Sequence, residues 1–259
     1  MIRITDNDIL RVENLLLPPG SKFNDERRAF IRCFESRDVI ACPGSGKTTA
    51  LLAKILILAS RMPFSDGGIC VLTHTNVAID TIKNRAGSAA DTLFKYPNFF
   101  GTIQSFVDRF LAIPYYRNKF KSPPYSIDAD HFNATLEKLF FQTSKARYRL
   151  QHLHKDVSTV ASLVLSPNEL NVSNALLETI PGLNSTETSF KEIVSIREQM
   201  LKKGILSYHD AYSLALGYIK TFPNIIQSIQ ARFKYIFIDE MQDSDSHQIE
   251  IIDSLFQGK

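Results

Sequence analysis

The chain has 259 residues, of which 44% are hydrophobic and 22% charged, with a formal net charge of +3. That balance excludes a mainly disordered chain, and the length suits one large domain or two smaller ones, each with its own core. The mild positive charge is far short of a polybasic coat, so any nucleic-acid site has to be local.

In chain order, residues 1–22 read as a short helix ended by Pro18-Pro19-Gly20. Val39 to Cys42 is a short apolar strand, and Lys47 to Ser60 has helical periodicity. The most apolar run, Ala50 to Ala59, is interrupted by Lys54 and is too short to cross a bilayer. The N-terminus has no apolar core of a signal peptide, so a membrane partner is not expected. Ile69 to Thr73 is β-rich, Asn76 to Arg85 helical, Phe99 to Thr102 strand-like, and a helix then runs to about Leu111. This alternation predicts an α/β fold, a parallel sheet covered by helices. After Ile113 it stops. Residues 114–205 hold helical patterns, among them Asp130 to Phe141 and Ser189 to Lys203, the latter stopped by Gly204, and no convincing strand. Asp210 to Ile219 and Asn224 to Phe233 are again helical, Tyr235 to Ile238 is an apolar strand, and His247 to Phe256 is a closing helix. The predicted organisation is an α/β domain in two parts, 1–113 and 206–259, interrupted by an all-helical insertion over 114–205.

The sharpest local signal is Ala41-Cys42-Pro43-Gly44-Ser45-Gly46-Lys47-Thr48-Thr49. A phosphate cradle needs small residues so that successive backbone N–H groups can point at phosphate oxygens, and Gly44, Ser45 and Gly46 supply them. Lys47 brings a point charge for the β- and γ-phosphates. Thr48 brings a hydroxyl for Mg²⁺, and with Thr49 it opens a helix whose positive end faces the anion. The second half is Tyr235-Ile236-Phe237-Ile238-Asp239-Glu240, an apolar strand that delivers two carboxylates at its C-terminal end. Asp239 suits the Mg²⁺ shell, and Glu240 suits the orientation and deprotonation of an attacking water.

With these two halves in place, the chain resembles superfamily 1 DNA helicases of the UvrD/Rep/PcrA type, specifically their first motor domain. Phe23-Asn24-Asp25-Glu26-Arg27 is similar to the family's adenine-reading segment. Thr73-His74-Thr75-Asn76-Val77-Ala78 and Gly101-Thr102-Ile103-Gln104-Ser105-Phe106 resemble its single-strand DNA contacts. Asp239-Glu240-Met241-Gln242-Asp243, with Gln248 beyond, resembles its most specific motif. The resemblance implies a RecA-like sheet with helices on both faces, ATP and Mg²⁺ as cofactors, and single-stranded or partly duplex DNA as partner. It assigns catalysis to Lys47, Asp239, Glu240 and Gln242. It assigns nucleotide contacts to Arg27, Gly44, Ser45, Gly46, Lys47, Thr48 and Thr49, metal ligation to Thr48 and Asp239, and DNA contacts to Thr73, His74, Asn76, Thr102, Gln104 and Phe106. A second motor domain, also implied, has no motif before Lys259, which reads as a fragment of a longer parent. The expected activity is ATP-dependent translocation or unwinding. The alternatives are a binding module without turnover and a relative of the RNA-surveillance branch.

Three residues depart from the family pattern. Arg27 stands where the family has Gln, and a guanidinium cannot accept from the adenine amino group, which predicts either weak discrimination between ATP and GTP, or even a preference for GTP, or an Arg27 turned to solvent or to Glu26 with the base read by backbone groups. His74 replaces a base-stacking Phe, and Gln104 replaces His. Elsewhere, Tyr115 to Lys121 and Thr143 to Lys155 mix bases with aromatic or imidazole rings, a pattern for DNA or for a solvated helix face. His152 and His154 are wrongly spaced for a helical metal pair, and Cys42 reads as a small packing residue. The three cysteines, Cys33, Cys42 and Cys70, suggest no disulfide or zinc framework and fit a reducing, cytoplasmic compartment.

Overall fold

The computed structural model describes residues 3–39, 46–62, 67–167 and 170–257. Predicted strand residues 40–42 therefore lie outside the described residues, as do Ala41 to Ser45 of the phosphate-cradle motif. In chain order the described elements begin with α1 (Asp6–Leu16), α2 (Asp25–Arg32), α3 (Lys47–Ala59), β1 (Gly68–Thr73), α4 (Asn76–Ala86), α5 (Ala90–Leu93) and β2 (Phe99–Thr102). They continue through α6 (Ile103–Val107), a π turn at Asp108–Ala112, α7 (Ile113–Phe120), β3 (Ser126–Ile127), α8 (Ala129–Phe141), α9 (Ser144–His152), α10 (Val157–Ala161) and α11 (Val172–Thr179). The last are α12 (Thr188–Lys203), β4 (Ile205–Leu206), α13 (Tyr208–Thr221), α14 (Asn224–Arg232), β5 (Phe233–Ile238) and α15 (Ser246–Phe256).

The chain packs as two compact units. The first comprises Met1–Thr102, Ser228–Ser244 and Phe256–Lys259; the second comprises Ile103–Gln227 and Asp245–Leu255. Packing thus divides the chain just after β2, whereas the change of element pattern in the sequence falls at residue 113.

In the first unit, β1 lies between β2 and β5, parallel to both. All six β1 residues are buried, as expected of a central parallel strand. The register pairs Thr73 with Thr102 and Leu72 with Ile238, so the C-terminal ends of all three strands meet at one edge. Helix α3 is buried from Ala50 through Ala59, which is why that stretch reads as apolar all round. Each large side chain there, such as Leu52 or Ile55, contributes about 1.5–3 kcal/mol by leaving water. Lys54 survives in this setting because its ammonium donates to the carbonyl oxygens of Phe30, at 3.3 Å, and Cys33, at the C-terminal end of α2. Burial still pushes its pKa down, to about 8. Glu13 of α1, also buried, accepts from Phe23 N and Arg28 Nη2, both at 2.8 Å, and so ties α1 to α2.

The second unit corrects the sequence reading in two places. The helix expected to end near Leu111 instead runs on through a π turn into α7, with Pro114 in the first turn of α7. A proline ring clashes with the carbonyl four residues back, and the wider turn just upstream relieves that clash. Strands also occur where none was expected: β3 and β4 form a two-residue parallel pair, Ser126 with Ile205 and Ile127 with Leu206. Gly204, at φ 74°, ends α12 and accepts from Tyr125 N and Ser126 N, which starts the pairing. A Cβ there would lie 2.6 Å from Tyr125 N, so the close approach requires glycine.

The core of this unit holds a fully buried ion pair. Arg197 of α12 donates to Asp210 of α13 at 2.9 Å, and both side chains have no exposure. Asp210 also closes a capping box with Ser207 at the start of α13. The Arg197 guanidinium lies 4.8 Å from the Phe132 ring centroid.

Candidate functional site

The site grows out of the C-terminal edge of the three-stranded sheet, where an open parallel sheet collects ligands. Strand β5 ends at Ile238, and the next amide, Asp239 N, still donates to Leu72 O of β1 at 2.9 Å. Asp239 is thereby held at the sheet edge. Glu240 follows with φ 57° and ψ 40°, a left-handed conformation that non-glycine residues seldom adopt. That reversal turns the chain into a 3₁₀ turn over Met241–Asp243.

Against this turn stands the N-terminus of α3. Gly46, at φ 82°, precedes the first helical residue, Lys47. Thr48 Oγ1 lies 3.4 Å from Asp239 Oδ2, and Lys47 Nζ lies 4.0 Å from Glu240 Oε2. Gln242 donates its side-chain amide to the same Glu240 carboxylate. Burial pushes the Asp239 pKa up, and the adjacent Glu240 charge pushes it further. A carboxylate placed this way is stabilised by an added cation. Thr48 and Asp239 therefore fit a Mg²⁺ ion, which takes one or two protein oxygens and fills its octahedron with water and phosphate oxygens. Among the described residues no cluster of three or more His, Cys, Asp or Glu could hold a metal by itself.

The other residues of the predicted nucleotide set are placed as follows. Gly44 and Ser45 lie outside the described residues. Thr49 accepts from Arg85 Nη1 of α4 at 3.3 Å, a contact that no sequence signal announced. Arg27 is half-buried on α2, and its Nη2 lies 3.4 Å from where a Cβ on Gly46 would be. Asn24 holds that helix start by accepting from Arg27 N at 3.0 Å.

Of the predicted DNA contacts, His74, Asn76 and Thr102 sit at the same sheet edge, just past or at the ends of β1 and β2. Asn76 is exposed and His74 half-buried. Thr73 is 1% exposed, with its hydroxyl donating to Thr75 O. In the second unit, Phe106 is 1% exposed and packs its ring 4.9 Å from that of Phe110. Gln104 donates to Asp108 Oδ1 at 2.7 Å.

The two mixed basic stretches differ from each other. In the first, Tyr115 and Tyr116 are core residues, and Tyr116 donates its hydroxyl to Leu201 O at 2.8 Å. In the second, Tyr148 is exposed on α9, beside His152, and Arg147 lies over the exposed Phe141 ring. Arg149 of the same helix is paired with Glu187 at 2.9 Å.

At this edge of the parallel sheet, a lysine and a threonine at one helix start thus face two carboxylates at one strand end. Comparison with known proteins carries this further. Residues 23–259 match the family described as UvrD/REP helicase N-terminal domain, and the chain belongs to that family. It is 24% identical over 248 residues to a probable DNA helicase II homolog of Mycoplasma capricolum subsp. capricolum, covering 94% of this chain and 33% of that protein. It is 24% identical to the ATP-dependent DNA helicase Rep of Buchnera aphidicola subsp. Schizaphis graminum, covering 84% of this chain and 32% of that one. With the ATP-dependent DNA helicase UvrD1 of Mycobacterium tuberculosis the identity is 22%, over 84% of this chain and 28% of the relative. The chain spans about a third of the length of these relatives. No helix among the described residues is long and apolar enough to cross a membrane.

Proposed function

We propose that this chain is the first motor domain of an ATP-dependent translocase or helicase acting on single-stranded DNA. The observation that carries the proposal is the facing of Thr48 and Lys47 against Asp239 and Glu240, at 3.4 and 4.0 Å. When bound, the magnesium nucleotide supplies the phosphoryl group and neutralises charge on its oxygens. Lys47 offers its ammonium to the terminal phosphates, and Thr48 and Asp239 offer their oxygens to the metal. Glu240 orients a water and takes its proton, with Gln242 holding the carboxylate in place. His74, Asn76 and Thr102, at the sheet edge, contact the DNA strand. Residues 1–113 and 206–259 form the motor domain in this reading, with 114–205 as its insertion. The proposed partner that completes the site is a second motor domain, as the family resemblance implies.

Two substitutions test the chemistry. Lys47→Ala is expected to weaken binding of a fluorescent ATP analogue by about tenfold or more, because it removes a charge-assisted contact. Glu240→Gln is expected to bind the analogue as the unsubstituted chain does. With a second motor domain and single-stranded DNA present, it should lose about 10²–10⁴ of the hydrolysis rate, since an amide cannot take the proton. Equal binding loss in both variants would make Glu240 a structural residue and overturn its assignment as base.

A further inference from the structure

The turn that presents Glu240 is fastened to β1 and its extension at two points. The near end is held by backbone: Asp239 N donates to Leu72 O. The far end is held by one pair of side chains. His74 Nε2 lies 3.0 Å from Ser244 Oγ, 170 residues away in sequence. Between the two ties, Asp243 N donates to Glu240 O at 3.0 Å and Ser244 N to Met241 O at 3.1 Å, so the five residues after Asp239 form one closed turn. Glu240 needs this support. A left-handed glutamate persists only where its surroundings over-determine it. Apart from His74, the contact found at the Ser244 hydroxyl is a long one, 3.6 Å, to Met241 Sδ within the same turn.

His74 stands at a boundary. The residue before it is buried and the two after it are exposed, so its half-buried ring borders solvent on the proposed DNA side. The family pattern has Phe here, which stacks but cannot hydrogen-bond. A histidine does both, and it cannot rotate onto a base while keeping its bond to Ser244 unless the base arrives in the plane the ring already offers.

We infer that His74 is a positioning residue for Glu240, acting through Ser244, and that a single-stranded DNA base competes with Ser244 for the same ring. The inference rests on the proposed DNA contact but not on turnover. It joins the two ligands of the motor through one side chain: stacking at His74 frees the turn that carries Glu240 from the position in which the Ser244 tie holds it without DNA. The glutamine isostere places an N–H donor where Nε2 stands but stacks poorly, whereas phenylalanine stacks and cannot donate. The two roles are therefore separable by substitution.

The test is amide hydrogen exchange of the 239–245 segment in the full chain, with oligo-dT affinity read by fluorescence anisotropy. His74→Phe and Ser244→Ala are each expected to speed exchange in this segment by about threefold to tenfold, the signature of a lost local tie. The double variant should match the single ones, because both remove one interaction. His74→Gln should retain most of the protection yet bind oligo-dT more weakly than His74→Phe. Saturating oligo-dT should speed exchange in the unsubstituted chain and leave Ser244→Ala unaltered. Unchanged exchange in Ser244→Ala, additive effects in the double variant, or oligo-dT that binds without altering exchange each overturns the inference. Failure of nucleotide hydrolysis would count against the proposed function alone, because exchange is read without nucleotide. Ser244→Ala changes one small half-buried side chain, so the test survives if a His74 variant fails to fold.

Discussion

Each of the two units contains one lysine– or arginine–carboxylate pair that stands out, and the pairs are opposites. Arg197 and Asp210 meet at 2.9 Å with neither side chain exposed. Lys47 and Glu240 stand 4.0 Å apart, with 25% and 42% of their side chains exposed. The first pair has paid its desolvation cost in folding and has its charges matched by each other and by the Ser207 cap. The second keeps its water and sits too far apart for a hydrogen bond. A pair with no exposure is out of a ligand's reach, while under the proposed function a loose half-exposed one exchanges its carboxylate for a phosphate oxygen at little cost. The contrast separates a charge pair that holds a fold from one that, under the proposed function, waits for a substrate.

The largest expected effect breaks the buried pair. Arg197→Ala leaves the buried Asp210 without its cation and should destabilise the protein by about 3–5 kcal/mol. The readout is the urea midpoint at pH 7. Replacing both partners, Arg197→Met with Asp210→Asn, should recover much of the loss, because the amide still accepts from Ser207 N and no charge remains. A single substitution costing under about 1 kcal/mol would mean that water reaches the pair, and the contrast would collapse.

A smaller effect concerns a carboxylate that belongs to neither pair. Burial pushes the pKa of Asp108, in the π turn, up to about 7, against the lowering contact from Gln104. Its folded pKa exceeds the ordinary carboxylate value of 3.8, so the folded state binds the extra proton between these two limits. The stability this gives is fully present below about pH 4 and is lost as pH rises through about 7. Asp108→Asn mimics the neutral acid. At pH 8 it should be more stable than the unsubstituted chain by about 1–3 kcal/mol, and at pH 4 about equal. A difference that is constant across that range would show that Asp108 is ionised in the fold without penalty.

These residues also show where the sequence is legible. Strands β1, β2 and β5 announce themselves as short apolar or β-rich runs at the right spacing for crossover helices, and α3 as an apolar stretch opened by the Gly46-Lys47-Thr48 signature. Legibility there comes from local periodicity and from chemistry that tolerates few residue types. The β3–β4 pair escapes because two residues cannot show alternation. The π turn escapes because its signal, a proline at position 114, also fits an ordinary helix start. Arg197 pairs with Asp210 across a helix, a short strand and a cap, and nothing in either residue's neighbours tells a buried charge from a solvated one. Tyr115 and Tyr116 sit among basic residues and yet face inward, because charge in sequence does not show which side of a helix is covered. The tie between His74 and Ser244 depends on sheet register, which only the fold supplies.

On the substrate side of the comparison, Arg27 sharpens what the loose pair serves. Its guanidinium lies against Gly46, at the end of the phosphate-cradle motif, and so belongs to the same corner as Lys47. Arginine can donate twice to the O6 and N7 acceptors of guanine and cannot accept from the adenine amino group. Arg27→Gln is expected to move the ratio of ATP to GTP affinity toward ATP by about threefold to tenfold, a fraction of a full bidentate contact. Competitive titration of a fluorescent analogue reads the ratio. A ratio that stays put assigns Arg27 to the phosphates or to the loop, with the base read by other groups.

The smallest expected effect returns to Glu240. If the pair with Lys47 were structural, Glu240→Gln would cost stability as Arg197→Ala does. Its geometry argues otherwise. At 4.0 Å and with more than a third of the glutamate side chain exposed, the attraction is screened by water and offset by the entropy of holding two long side chains. The amide that replaces the carboxylate can still accept from Gln242, so that bond survives. The left-handed backbone at Glu240 is equally strained with either side chain, because its cost lies at Cβ. Glu240→Gln should therefore leave the urea midpoint in place to within about 1 kcal/mol while nucleotide hydrolysis falls. A loss of several kcal/mol would place both ion pairs in one class, and the loose pair would then be a part of the fold rather than a site held open for phosphate.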